Sequence, residues 1–343
     1  MAFPPILPIP PIFTNSHRQI RSVIAVGLMA VDLMGGSTGV ANNLAACAEF
    51  SKPEDLVLVG QQALIQGTPH AKVLAAKGAT FRYADDILLG SESLIEVLRN
   101  RPHTSMAVCS KLLANNDVEA VVSSGDTKAL LGLARAHVGT LPGLQRPAII
   151  KSFQGNAGQF YMLDLGANVN CSEKMLSQFA KLGAALAYSG GDFESLHSVR
   201  VALLNIGTER GKGTGLLNGV AATLSRDQRL DFVGFVEPTE LFSGCADVIV
   251  CDGFTGNIML KTLEGVASHI RQKLRVLAQG DDALSAFGRE LDPERYNGAL
   301  MAGLNGIVVK SHGSTGKLGF LSALNQADKY VESGLTKVLV DNL

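Results

Sequence analysis

The stretch Asp247-Val-Ile-Val-Cys-Asp-Gly-Phe-Thr-Gly-Asn257 decides how this chain is read. It begins as an almost unbroken run of Val and Ile, the pattern of a strand buried on both faces. An Asp and two glycines then close the run, and from Asn257 to Leu277 the apolar residues take helical spacing. The same unit recurs outward along the chain. Candidate strands lie at 23–33, 56–60, 79–83, 120–124, 148–153, 161–166, 201–207, 231–236, 248–252 and 306–311. Helical spacing occupies 105–113, 128–137, 173–188, 257–277 and 317–332. This alternation predicts an α/β fold, a mostly parallel sheet covered by helices. Residues 280–289 are the most polar interruption and read as a loop or a protruding hairpin.

The length of 343 residues suits a single α/β domain over 21–343, with two lobes sharing a sheet as the alternative division. Thirty basic residues against 31 acidic ones give a net charge of -1, so no basic face is expected and no nucleic-acid partner. Five cysteines without a CxxC pair read as reduced thiols of a cytoplasmic protein. The histidines include no HExxH and no i,i+4 pair, so no metal site is expected. Residues 1–20 form an apolar tail carrying Pro4, Pro5, Pro8, Pro10 and Pro11. Those prolines forbid a spanning helix, and neither a basic start nor a cleavage site marks a signal peptide. The expectation there is a disordered, polyproline-like tail. No later uncharged run is long enough to cross a bilayer.

In such sheets ligands bind beyond the carboxyl ends of the strands. Five ends carry glycines beside polar groups: Asp32-Leu-Met-Gly-Gly36, Ser123-Ser-Gly-Asp-Thr127, Asp164-Leu-Gly-Ala-Asn168, Asp252-Gly-Phe-Thr-Gly-Asn257 and Lys310-Ser-His-Gly313. Glycines let backbone approach a phosphate, and helix N-termini offer it free N–H groups. Any one of these segments alone is only a tight turn; five at equivalent places mark a site. Asn257 and Lys261 share a helix face, and Lys310 and His312 leave a strand on one side, giving an anion clamp and a proton donor.

Other motifs fail. Gly207-Thr-Glu-Arg-Gly-Lys-Gly213 is one residue short of a P-loop and lacks its hydroxyl residue after the lysine. Gly211-Lys-Gly-Thr-Gly215 does not complete a nicotinamide fingerprint. Gly35-Gly-Ser-Thr-Gly39 matches a hydrolase elbow but follows the first strand, with no His–acid partner indicated.

Taken together, these segments resemble the acyl-ACP:phosphate acyltransferase (PlsX) family. The resemblance is carried by Val31-Asp-Leu-Met-Gly-Gly36, Asp164-Leu-Gly-Ala-Asn168, Asn205-Ile-Gly207 with Glu209 and Lys212-Gly213, and the opening stretch through Asn257. Leu260-Lys261, Glu264-Gly265, Tyr296-Asn-Gly-Ala299 and Lys310-Ser-His-Gly313 continue it in order, so it covers nearly the whole chain from about Val23. The resemblance implies a fold similar to that of the isocitrate and isopropylmalate dehydrogenases, a homodimer, and no cofactor. It implies conversion of acyl-ACP and inorganic phosphate into acyl phosphate and free ACP, in fatty acid and phospholipid synthesis. A downstream membrane acyltransferase is a further implied partner. Any peripheral membrane contact would come from 274–287, whose apolar face is modest.

On this reading Asn257, His312 and Lys261 are the catalytic candidates. Asp32, Gly35, Gly36, Asp126, Thr127, Lys128, Asp164, Asn168, Lys212, Asp252, Gly253, Gly256 and Lys310 are the substrate-binding candidates. Lys212 and Lys261 would hold phosphate or the carrier's phosphopantetheine. Asn257 and N–H groups near Gly256 would stabilise an oxyanion, and His312 would position phosphate or protonate the departing thiolate.

The chain departs from the family pattern in its first half and at Arg210. Ser37 stands where the family has an acid and Val40 where it has proline; Asp126 and Lys128 replace an amide and a glycine; Arg210 replaces an acid. A carboxylate at 126 would repel phosphate, and Lys128 is expected to neutralise it or to bind the anion itself. Three alternatives follow: a specialised paralogue with a dedicated carrier or unusual acyl chain, a non-catalytic ACP-binding protein, and a short-chain phosphotransacylase using CoA.

Overall fold

In the computed structural model, which describes residues 27–88, 92, 94–209, 211–277 and 282–343, eleven strands form one sheet. The tail 1–20 and Arg210 lie outside the described residues. The strands are β1 (Met29–Asp32), β2 (Leu56–Gly60), β3 (Thr80–Tyr83), β4 (Ala120–Ser123), β5 (Ala148–Gly155), β6 (Gly158–Leu163), β7 (Arg200–Leu204), β8 (Asp231–Val236), β9 (Val248–Val250), β10 (Ala299–Ala302) and β11 (Ile307–Lys310). Their order is β3-β2-β1-β4-β11-β10-β5-β6-β9-β7-β8. Neighbours are parallel from β3 to β11 and again from β6 to β8; only the pairs at the centre, around β10 and β5, are antiparallel. The fold is therefore the mostly parallel α/β sheet that the sequence pattern predicts.

The pairing register brings the two halves together at their carboxyl ends. Ala299 of β10 pairs with Lys310, the last residue of β11, and Leu300 pairs with Ile150. Ile150 in turn pairs with Leu163, the last residue of β6. The ends of β11 and β6 thus meet within a rung or two, although their strands run in opposite directions.

Core packing shows which face of the sheet is open there. On one face Val31, Leu58, Val122, Val309, Ile150, Leu163 and Val250 join a single core across both halves. On the other face the core is split: Ala30, Val57, Val121, Met301 and Val308 belong to one cluster, and Ile149, Met162, Ala202 and Ile249 to another. Burying each such side chain stabilises the fold by about 1.5–3 kcal/mol, so the continuous face holds the halves together and the split face leaves a gap.

Three sequence expectations are corrected. β10 was not foreseen, because Ala-Leu-Met-Ala between Gly298 and Gly303 is too short to show a period. The helix expected from Asn257 runs Gly253–Leu277, so the glycine-containing turn is its first turn. The polar interruption expected as a loop holds a helix, Asp282–Glu290, packed on Gly253–Leu277; its two large apolar residues, Leu284 and Phe287, are too few to declare it. Among the described residues no helix is long and apolar enough to cross a membrane.

Candidate active site

Where the two halves meet on the split face lies a cleft of about 780 Å³. Thr127 and Lys128 enter it from the start of the helix Thr127–His137, and Lys310, Ser311 and His312 from the end of β11. Ile149, Lys151 and Ala299 form its floor. The opposite wall is Leu165, Gly166 and one stripe of the helix Gly253–Leu277: Asn257, Leu260, Lys261, Glu264, Arg271 and Arg275. Of the sequence candidates, the cleft gathers Asn257, Lys261, His312, Lys310, Thr127 and Lys128. It does not gather Asp32, Gly35, Gly36, Asp126, Asp164, Asn168, Lys212, Asp252, Gly253 or Gly256.

Most of these others lie beneath or beside the cleft and hold its loops. Asp32 is buried and accepts from the Ser105 and Ser123 hydroxyls, both at 2.6 Å, and from the Met34 N–H. Asp164 accepts from the backbone N–H groups of Ile149, Gly166, Ala167 and Asn168 and from the Asn168 amide, which also donates to the Pro147 carbonyl. Burial holds the Asp164 carboxyl above its ordinary range, and these donors offset only part of the rise. Asp252 and Asp126 cap helices, accepting from the Thr255 and Ala129 N–H groups at 2.9 Å.

The glycines face neighbouring backbone. A Cβ at Gly256 would lie 2.0 Å from the Asp164 carbonyl oxygen, and one at Gly36 (φ +81°) 2.7 Å from that of Gly313. Gly35 and Gly253 are equally tight against Gly125 and Asn168. The Gly256 N–H bonds to the Asp252 carbonyl inside the helix, so it is not an oxyanion donor. Lys212 stands exposed on the loop after β7, away from the cleft.

The cleft itself is rich in cations. Burial lowers Lys310 to about 8, with Lys261 nearby adding to the effect and Asp126 and Asp32 opposing it. Burial also lowers Lys151, whose ammonium sits 5.7 Å from the Phe153 ring centre. Among the described residues neither lysine is in an ion pair, whereas Lys261 pairs with Glu264 at 2.7 Å and Arg271 with Asp292 at 2.8 Å. Burial and the neighbouring Lys261 hold the His312 imidazole below its ordinary pKa, so it is neutral at pH 7. Its Nδ1 accepts the Ser314 N–H at 3.3 Å, which leaves the ring proton on Nε2.

Sequence reasoning missed Lys151, Arg271, Arg275 and the role of Asn297. Asn297 is buried; it donates to the Ser311 hydroxyl and the Gly319 carbonyl and accepts from the His312 N–H at 3.0 Å, fixing the His312 loop. A signal for Lys151 existed: a lysine in the run Ala148-Ile-Ile-Lys, which otherwise reads as fully buried.

A family model described as "Fatty acid synthesis protein" matches residues 28–338. A phosphate acyltransferase from Pseudomonas savastanoi pv. phaseolicola is 41% identical over 320 residues, covering 88% of this chain and 92% of that protein. One from Pseudomonas aeruginosa is 40% identical over 328 residues, covering 91% and 96%. Among solved structures, a branched-chain phosphotransacylase from Enterococcus faecalis V583 matches with a TM-score of 0.59 at 16% identity, covering 89% of this chain and 99% of its own. A 4-hydroxythreonine-4-phosphate dehydrogenase from Klebsiella pneumoniae matches at 0.50 and 12% identity, covering 89% and 98%. At such identity these two show the shared dehydrogenase-like fold. The sequence matches say more: the chain belongs to the phosphate acyltransferase (PlsX) family, which performs acyl transfer with phosphate in fatty acid synthesis.

Proposed function

We propose that the cleft holds inorganic phosphate between Lys310 and Lys151 and presents it to the thioester of acyl-ACP, releasing acyl phosphate and free ACP. The observation that carries this reading is the placement of those two lysines. Lys310 lies beside Ala299, and the register puts Lys151 level with Ala299 on its other side. Both point to the split face, since each stands two residues along its strand from a side chain of that face, Val308 or Ile149. Two strand spacings separate their backbones by roughly 10 Å, with only a methyl group between. Two partly desolvated cations without a carboxylate partner are stabilised by a dianion.

A phosphate oxygen attacks the thioester carbonyl; the C–O bond forms, the tetrahedral intermediate collapses, and the C–S bond breaks. Asn257 is the side-chain donor for the oxyanion. Neutral His312, through Nε2–H, donates a hydrogen bond to the leaving sulfur, and the released thiolate takes its proton from water. Positioning two bound reactants is the main source of rate, and no covalent enzyme intermediate is required. The cleft is larger than phosphate needs, which leaves room for a thioester-bearing arm. The product would feed phospholipid synthesis through a membrane acyltransferase. We place the enzyme in the cytoplasm as a homodimer, with exposed Val276, Leu277 and Phe287 as its membrane-facing residues. Lys128, lining the cleft where the family has glycine, favours a paralogue with a dedicated carrier or unusual acyl chain as the second reading.

Purified protein incubated with acyl-ACP or acyl-CoA and phosphate, followed by free thiol and by hydroxylamine trapping, tests the reading. Acyl phosphate formed without ATP and in the presence of EDTA is expected. No turnover with any thioester would make the protein a non-catalytic binder.

A further inference from the structure

We propose that Arg275, with Arg271 beside it, seats the phosphodiester of the carrier's 4′-phosphopantetheine arm, so that the helix Gly253–Leu277 acts as a ruler for that arm. This rests on the acyl-ACP reading above and adds a subsite that the reading lacks. The cleft is long, and one helix stripe runs its whole length from Asn257 to Arg275. At about 1.5 Å per residue, Arg271 stands ~15 Å and Arg275 ~21 Å beyond Lys261, which lies at the thioester end. From sulfur to phosphorus the arm has about thirteen bonds, comparable to four extended residues, or ~15 Å. A thioester level with Lys261, one turn from Asn257, therefore brings its phosphodiester level with Arg271, and Arg275, one turn further on, reaches back to it because helical side chains lean toward the N-terminus.

The charge pattern along the cleft fits the same occupant. Lysines lie at the thioester end and arginines at the far end, while the carboxylates Glu264 and Glu294 line the middle. A second free phosphate would be repelled from that middle stretch. An uncharged arm with two amide N–H donors suits it, and an anion is matched at each end. Asp292 holds the Arg271 guanidinium at 2.8 Å, which fixes it in the wall. Arg275 forms no ion pair among the described residues and presents its charge to the ligand. Both arginines also line an adjoining hollow of about 410 Å³ against the helix Asp282–Glu290, where the cleft continues outward and a carrier can stand.

Equilibrium binding of 4′-phosphopantetheine and of pantetheine, to the full protein and its variants, tests the assignment without requiring turnover. The wild type is expected to bind the phosphorylated arm about tenfold more tightly, the usual worth of one charge-assisted contact. In Arg275→Glu that ratio falls to near one, and in Arg275→Lys most of it remains. Equal binding of the two arms by the wild type, or an unchanged ratio in Arg275→Glu, would overturn the proposal. Holo-carrier and CoA, which share the arm, serve as competitors. Stronger displacement by holo-carrier supports the assignment, and stronger displacement by CoA overturns it. Should no thioester yield acyl phosphate while the binding preference persists, the acyl-transfer reading fails and the arm's seat stands.

Discussion

The polar groups at the strand ends divide into two sets that behave oppositely. Beneath the cleft, Asp32, Asp164 and Asn168 are buried, and each is bonded to protein donors or acceptors. Facing the cleft, part-buried Lys151 and Lys310 and exposed Arg275 carry charge that no ion pair among the described residues answers. A buried polar group that is satisfied contributes stability; a partly desolvated cation without a counter-charge, such as Lys310, whose ammonium meets only the Ser311 carbonyl, costs stability and is explained by an anionic ligand. The Asp-Gly segments are thus the framework, and the function lies in the cations they hold in place.

The largest effects are expected from breaking the framework. Gly256→Ala puts a methyl group against the Asp164 carbonyl, and Asp164→Ala strands five donors. Each should cost about 3–5 kcal/mol, read as a fall in Tm of roughly 10 °C or as insoluble protein. Should Asp164→Ala keep its Tm and lose phosphate binding alone, the division between framework and cleft would be wrong.

Next come the cleft cations. Lys310→Met should lower kcat/KM for phosphate about a hundredfold while Tm holds or rises, because a desolvated charge is removed along with its ligand contact. The pH dependence sharpens this. Burial lowers Lys310 to about 8, so it is protonated below that pH and loses its charge above it. The kcat/KM for phosphate should therefore fall as pH rises through about 8. Lys310→Arg, which stays charged, should move that limb beyond the measurable range. A limb unchanged in Lys310→Arg would assign it to another group.

The smallest effects belong to the departures from the family pattern. Asp126 caps the helix Thr127–His137, and Asn caps as well as Asp, so Asp126→Asn should leave Tm nearly unchanged. It should change kcat/KM at pH 7 by less than about twofold, while losing a charge that supports protonated Lys310 moves the alkaline limb slightly lower. Lys128→Gly removes an exposed cleft cation and should weaken phosphate binding several-fold. If Asp126→Asn restored what Lys128→Gly lost, the two charges would be coupled after all.

The sequence carried the framework further than the site. Continuous Val and Ile runs announced β2, β4 and β9, because strands buried on both faces admit nothing else. β10 stayed hidden in four small or unbranched residues. The Asp and Gly segments located the strand ends correctly, but sequence does not say whether a side chain points into a cleft or beneath it. Lys310 and His312 follow a strand and were found by spacing. Arg271 and Arg275 lie fourteen and eighteen residues beyond Asn257, and only the straight run of the helix shows that they share its face.

Phosphate binding by calorimetry at pH 7, comparing the wild type with Lys151→Met/Lys310→Met, tests the two-lysine clamp most directly. Saturable binding of inorganic phosphate by the wild type, absent from a double variant whose Tm is undiminished, is the predicted result. Undiminished phosphate affinity in that double variant would contradict it.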